Sequence, residues 1–214
     1  MLEKLSKVYY PLIIDEIVRK LNINYSEMKY IELGVLDPVS GSNTFYFYQR
    51  GSTGILVEAN PGLIKNIKKF RSADKIINKA VYAGTEREIP FYISECAGLS
   101  SVNPNWVEQG GEEWKKYGRK ETIRIPTIHI NDVFVMLERK CNLLSIDIEG
   151  YDYEAIKSLD FCIHRPQIIV LELLPGRCTT PEIVKLLLEE GYMLYACNSA
   201  NGIFVDRCYE NEIL

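Results

Sequence analysis

Carboxylates stand at the ends of several apolar runs in this sequence: Glu32 and Gly34 close the run from Tyr30, Glu58 closes Gly54–Val57, and Asp147 and Glu149 close the run from Asn142. Glu172 lies near the end of a further run, Gln167–Leu173. Acids gathered on one rim can accept hydrogen bonds from the paired hydroxyls of a ribose, favour a nearby cation, or take a proton from a hydroxyl nucleophile. Glu58 follows the turn at Gly34 by about twenty residues, the separation at which a carboxylate reaches a ribose in an open parallel sheet. Asp147 and Glu149 stand two apart, so in a strand that stayed regular both side chains would project to the same side. Of the two histidines, His129 is the candidate base, whereas His164, followed by Arg165-Pro166, reads as a surface loop residue. Asp147 and Glu172, with Asn198, form an oxygen set that could hold Mg²⁺ and lower the pKa of a hydroxyl, although no motif fixes their geometry.

The elements that must carry these residues follow an alternating order. A helix is predicted over residues 4–21, then a strand at Tyr30–Leu33, a helix at Thr44–Arg50 capped by Ser42 or Asn43 and stopped by Gly51, and a strand ending at Glu58. Asn60 and Pro61 open a helix through Phe70, and Lys75–Val81 reads as a third strand. The basic residues Lys65, Lys68, Lys69 and Arg71 read as one solvated helix face. Residues 84–130 break the rhythm with two short strands, Ile89–Ile93 and Thr122–Thr127, around a polar stretch containing Gly110-Gly111, and are expected to form an insert over the site, with 94–120 a mobile cover ordered by ligand. Trp106, Trp114, Tyr117 and Tyr151 could form an acceptor wall or the insert's own small core.

The rhythm resumes with a helix at about 131–139, a strand at Asn142–Ile148, a helix at 152–159, a strand at Gln167–Leu173, a helix at 181–190, and a closing pair, Tyr192–Cys197 and Gly202–Val205. This pattern predicts an α/β fold with a mainly parallel seven-stranded sheet, helices on both faces and an antiparallel C-terminal pair. At 214 residues it is expected to be a single domain, residues 1–214. A net charge of −4 argues against a nucleic-acid partner. The six cysteines show no zinc-site spacing and are expected to be reduced and mostly buried; with no run long enough for a membrane span, the expected location is the cytoplasm.

The turn Gly34-Val35-Leu36-Asp37-Pro38 lacks the closely spaced glycines that bring backbone to a pyrophosphate, which sets a nicotinamide-dependent oxidoreductase behind other readings. Acidic walls suit a ligand with a cationic centre and an amino group. The blocks YIELGVLDPVSGSNTFYFYQRGSTGILVEANPG, LLSIDIEGYDYEAIKSLDF, RPQIIVLEL and EGYMLYACNSANGIFVDR, in this order, resemble the FkbM-type S-adenosylmethionine-dependent methyltransferases. The resemblance implies a Rossmann-like class I methyltransferase fold, S-adenosylmethionine as cofactor, and O-methylation of a small-molecule or glycan acceptor such as a sugar or natural-product intermediate. It further implies that Glu32 and Gly34 hold the methionine end with Ser42, Asn43 and Thr44 beside them. Glu58 would bind the ribose near Asn60, and Asp147-Ile148-Glu149-Gly150 would line the reaction centre. A catalytically silent nucleoside-binding module would share the same binding residues.

Overall fold

The computed structural model describes residues 2–109, 114, 116–173, 179–198 and 200–213. Gly110 and Gly111, singled out above, and one of the six cysteines, Cys178, lie outside these residues. Seven strands, β1 (Lys29–Leu33), β2 (Thr53–Val57), β3 (Lys75–Ile77), β7 (Leu143–Ile146), β8 (Ile168–Glu172), β9 (Tyr192–Cys197) and β10 (Asn201–Asp206), form one sheet in the order β3-β2-β1-β7-β8-β10-β9. β1 pairs in parallel with β2 and β7, and β7 with β8, while β10 runs antiparallel to both of its neighbours. The sheet is the mainly parallel one that the apolar runs predict.

Alternation along the strands sorts side chains onto two faces. Ile31, Leu33, Ile55, Val57, Leu144, Ile146, Ile169 and Leu171 pack on one side with residues of α5 (Ile130–Leu137), α6 (Asp152–Lys157) and α7 (Thr179–Glu189). Tyr30, Leu56, Leu143, Ile168, Val170, Ile203 and Val205 face the other, against α1 (Leu2–Lys20), α2 (Phe45–Tyr48) and α3 (Ile64–Phe70). Both faces are covered, which is why the strands read as continuous apolar runs.

The boundaries differ from expectation where side chains bond locally. The helix predicted at Thr44–Arg50 is only the four residues of α2: Ser42 Oγ accepts from the N–H groups of Thr44 and Phe45 (3.2 and 3.1 Å) at its start, and at its end the N–H groups of Arg50 and Ser52 turn back to Phe47 O (2.9 and 3.1 Å). The Lys75–Val81 run splits: β3 ends at Ile77, and β4 (Ala80–Val81) pairs in parallel with β6 (Arg119–Ile128) in a second sheet, order β4-β6-β5, where β5 is Glu88–Ser94. β7 stops at Ile146, before both carboxylates. Arg71 is not on a solvated face; it is fully buried. Of the described cysteines only Cys141 is buried, and all are free thiols.

Candidate functional site

The site is a cleft at the carboxyl ends of β1, β2 and β7, where loops from a central parallel sheet converge. Its floor includes Gly34, Val57, Glu58, Ser145 and Asp147. The second sheet and the segment after it, here called the cover, contribute Phe91, Ala97, Gly98, Ser100 and Val102. Leu36, on the opposite lip, reaches the cover so closely that a Cβ on Gly98 would lie 3.0 Å from Leu36 Cδ2.

The turn after β1 is locked to β7. Gly34 has φ +81°, and a Cβ there would lie 1.8 Å from the Asp147 carbonyl oxygen, so no other residue fits without separating the strands. Asp147 N–H donates to Leu33 O (2.9 Å), and Gly34 N–H to Val57 O (2.9 Å). Glu58 then ties the loop down: its Oε2 accepts from Val35 and Leu36 N–H (3.0 and 3.1 Å) and its Oε1 from Asn60 N–H (2.7 Å). Asn60 turns its own Oδ1 to Gly62 N–H at 3.0 Å, forming the turn before α3. Glu58 lines the cleft, and its Oε1, with one N–H donor, keeps acceptor capacity.

Glu32 has a different setting. Being two residues from Tyr30, it shares that residue's face and meets Arg71. All five guanidinium N–H groups of Arg71 find acceptors: Nε on Asp74 (2.8 Å), Nη1 on Pro38 O and Ser42 Oγ (both 3.2 Å), Nη2 on Tyr30 OH (3.0 Å) and Thr44 Oγ1 (2.7 Å). Glu32 Oε2 accepts from Ser42 Oγ (3.1 Å) and Thr44 Oγ1 (2.5 Å), with Arg71 Nη1 at 3.7 Å. Burial pushes the Glu32 carboxyl above its ordinary value, against the opposing pull of Arg71. Ser42 and Thr44 therefore serve this buried network, while Asn43 of the predicted trio lines the cleft and donates through Nδ2 to Ser145 Oγ (3.1 Å).

Beyond β7 the chain leaves the extended conformation. Glu149 and Gly150 have φ +53° and +88°, so Asp147 and Glu149 do not share a regular strand face: Asp147 is exposed, and Glu149 is partly enclosed. Asp152 holds the turn by accepting from Ile148 and Gly150 N–H, both at 3.1 Å. Trp106, on α4 (Trp106–Gln109), donates its indole N–H to Glu149 Oε2 at 2.7 Å, and Ser101 Oγ donates to Glu149 O at 2.6 Å. Burial, with the nearby Asp147 and Glu172 carboxylates, pushes the Glu149 carboxyl well above the usual carboxylate range. Tyr151 lines the cleft and stacks on Tyr82 (centroids 5.6 Å apart), whereas Trp106 packs edge-on against Trp114.

His129 is outside the set of cleft-lining residues; its Nδ1 accepts from Asn131 N–H at 3.3 Å and caps α5. Of the predicted Mg²⁺ set, Asn198 is engaged locally: its Oδ1 accepts from Ala200 and Asn201 N–H (2.7 and 2.8 Å), closing the β9–β10 turn. Among the described residues no group of three or more His, Cys, Asp or Glu could hold a metal ion, and no helix is long and apolar enough to cross a membrane. Sequence reasoning missed the role of Arg71 and the Trp106–Glu149 contact, and no local pattern in the sequence links residue 106 to residues 149–150.

A seven-stranded sheet with one reversed strand, carrying an acid-rimmed cleft at the ends of its central parallel strands, defines the Rossmann-like class I methyltransferases. More narrowly, the chain belongs to the FkbM methyltransferases: the family described as Methyltransferase FkbM domain matches residues 32–194. This membership implies S-adenosylmethionine as methyl donor. Similar solved structures include a precorrin-6y C5,15-methyltransferase from Geobacter metallireducens GS-15 (14% identity, 83% of this chain and 78% of that one, TM-score 0.45). Others are a TehB-like SAM-dependent methyltransferase from Corynebacterium glutamicum (10% identity, 84% and 80%, TM-score 0.42) and the methyltransferase domain of bacterial CtHen1-C (10% identity, 94% and 98%, TM-score 0.46). A search of the curated proteins finds no match.

Proposed function

We propose that this protein transfers the methyl group of S-adenosylmethionine to a hydroxyl oxygen of a sugar, glycan or natural-product intermediate, in the cytoplasm, with residues 84–130 selecting the acceptor. The cleft's chemistry suits the cofactor. Val57, Ala59, Leu63 and Val81 offer apolar walls for a base, Glu58 Oε1 has room for a ribose hydroxyl, and Asp37, Asp147 and Glu149 favour a cation. When bound, the cofactor supplies an electrophilic methyl on a sulfonium.

The observation that carries the reading is Glu149: a carboxyl on the cleft whose proton affinity is raised by burial and by Asp147 and Glu172. A carboxylate so tuned accepts the proton of an acceptor hydroxyl better than an ordinary one. Asp147, more open to water, orients the hydroxyl and keeps its charge near the sulfonium. No covalent enzyme intermediate is involved, and alignment of acceptor and methyl supplies much of the rate.

The test is incubation with ¹³C-methyl S-adenosylmethionine and a panel of free sugars, nucleotide sugars and polyhydroxylated small molecules. NMR of the products then separates O-methyl from N- and C-methyl groups. An O-methyl product supports the reading, and a methyl on nitrogen or carbon overturns it. Binding of S-adenosylhomocysteine without transfer to any member of the panel points instead to a silent binding module.

A further inference from the structure

The turn bearing Glu149 is gripped by the cover at two points, by Ser101 on its backbone carbonyl and by Trp106 on its carboxylate. We propose that Trp106 is a positioning residue of the reaction centre: its indole N–H fixes one oxygen of Glu149 so that the other is presented to the acceptor. The cover then contributes alignment to the chemistry as well as walls. This rests on the reading of Glu149 as the base.

The geometry makes the contact specific. Trp106 is 6% exposed, and a buried indole N–H needs an acceptor. Here the acceptor is one oxygen of a cleft-lining carboxylate, at 2.7 Å, while Oε1 of that carboxylate has no hydrogen bond within the described residues. The indole reaches it by lying on residue 150, where a Cβ would come within 2.2 Å of Trp106 Cε3. Glycine at 150 thus serves twice, for φ +88° and for the approach of the ring. Glu149 itself holds φ +53°, a conformation uncommon for a residue with a side chain, which persists where surrounding contacts impose it. The Ser101 and Trp106 bonds are such contacts.

Among the described residues, the charged groups acting on Glu149 are carboxylates: Asp147 past the end of β7, Glu172 on β8 and Asp152 on the first turn of α6. Burial and these three favour the protonated acid, and the Trp106 bond opposes them by favouring the carboxylate. Loss of that one donor shifts the balance in a direction that packing alone does not.

Trp106→Phe keeps a ring on Gly150 and removes the N–H. The Glu149 carboxyl is followed by ¹³C NMR of carboxyl-labelled glutamate, assigned with Glu149→Gln. The indole N–H is followed in parallel by ¹⁵N NMR, where two tryptophans leave two side-chain signals to assign. In the wild type the Trp106 signal is expected to move with pH at the Glu149 midpoint and to lose that step in Glu149→Gln. In Trp106→Phe the Glu149 midpoint is expected to rise. With an acceptor from the panel, kcat should fall at least tenfold, the acidic limb of its pH profile should move upward, and the Kd for S-adenosylhomocysteine should stay within about twofold. In the Glu149→Gln background the same change should cost little more.

An unmoved Glu149 midpoint overturns the proposal, as does an equal fall in kcat with and without Glu149. Should Trp106→Phe not fold, benzothienylalanine at position 106 preserves the shape without the N–H and is read the same way. If Glu149→Gln alone turns over at the wild-type rate, the base assignment fails, whatever Trp106 does to the titration.

Discussion

At the scale of single residues, the carboxylates divide into those that hold the protein and those that face the cleft, and composition could not make that division. Glu32 and Glu58 both end strands, yet Glu32 is absorbed by Arg71, Ser42 and Thr44, while Glu58 binds three backbone N–H groups and still lines the cleft. Glu58→Ala should weaken S-adenosylhomocysteine binding by roughly 1.5–3 kcal/mol, about ten- to a hundredfold by calorimetry, since a charged acceptor and the loop it fastens are lost together. Unchanged affinity in a folded variant would remove Glu58 from the ribose. Glu149 gives a pH signature. Its folded-state proton affinity is raised, so below the ordinary carboxylate range both states hold the proton and nothing is lost. As pH climbs above about 4.3 the unfolded chain releases that proton first, the native state binds more protons, and stability falls until the native group ionises too. Glu149→Gln should therefore melt higher than wild type at pH 7, with the gap closing toward pH 4; parallel melting curves across that range would show that Glu149 titrates normally. The acid was legible at its position, but its raised proton affinity was not, because the burial that raises it, and the Glu172 carboxylate that adds to it, come from distant parts of the chain.

At the scale of elements, the central strands were legible because burial on both faces leaves near-continuous apolar runs, as in Ile168–Glu172. The split between β3 and β4 was not, since Ala80-Val81 is as apolar as the run before it and only its partner β6 assigns it to the other sheet. β6 itself hides in a charged sequence, RKETIRIPTI, most of whose residues face solvent. Arg71 was misread because it follows lysines at helical spacing, whereas its acceptors, Pro38, Ser42 and Thr44, lie some thirty residues earlier. It joins the end of α3 to the loop after β1, so Arg71→Met should cost about 3–5 kcal/mol in denaturant unfolding, by leaving Asp74 and Glu32 buried without a cation. Gly34→Ala should cost about 2–4 kcal/mol and weaken cofactor binding as well, because the new methyl drives the β1 turn away from Asp147. A variant that melts with wild type would mean the two strand ends separate easily.

At the scale of the molecule, the cleft joins two units of different make, a sheet buried on both faces and a cover whose own apolar cluster is small, built around Ala80, Ile89, Phe91 and Ile125. Regions with few buried contacts open first, so residues 97–106 should exchange amide hydrogen faster than β1 or β7 and slow down when S-adenosylhomocysteine is added. Equal exchange with and without ligand would mark the cover as rigid. The position of β10 bears on how the molecule is made. Although it follows β9 in the chain, it lies between β8 and β9, so β9 has no place in the sheet until its successor exists. The two form a local hairpin that docks as a unit, and until it does the β8 edge stands open to any other strand. The described residues lining the cleft, by contrast, end at Tyr151. A nascent chain therefore carries the described walls of its cleft well before it can close its sheet, and its most vulnerable interval falls between the emergence of β8 and that of β10.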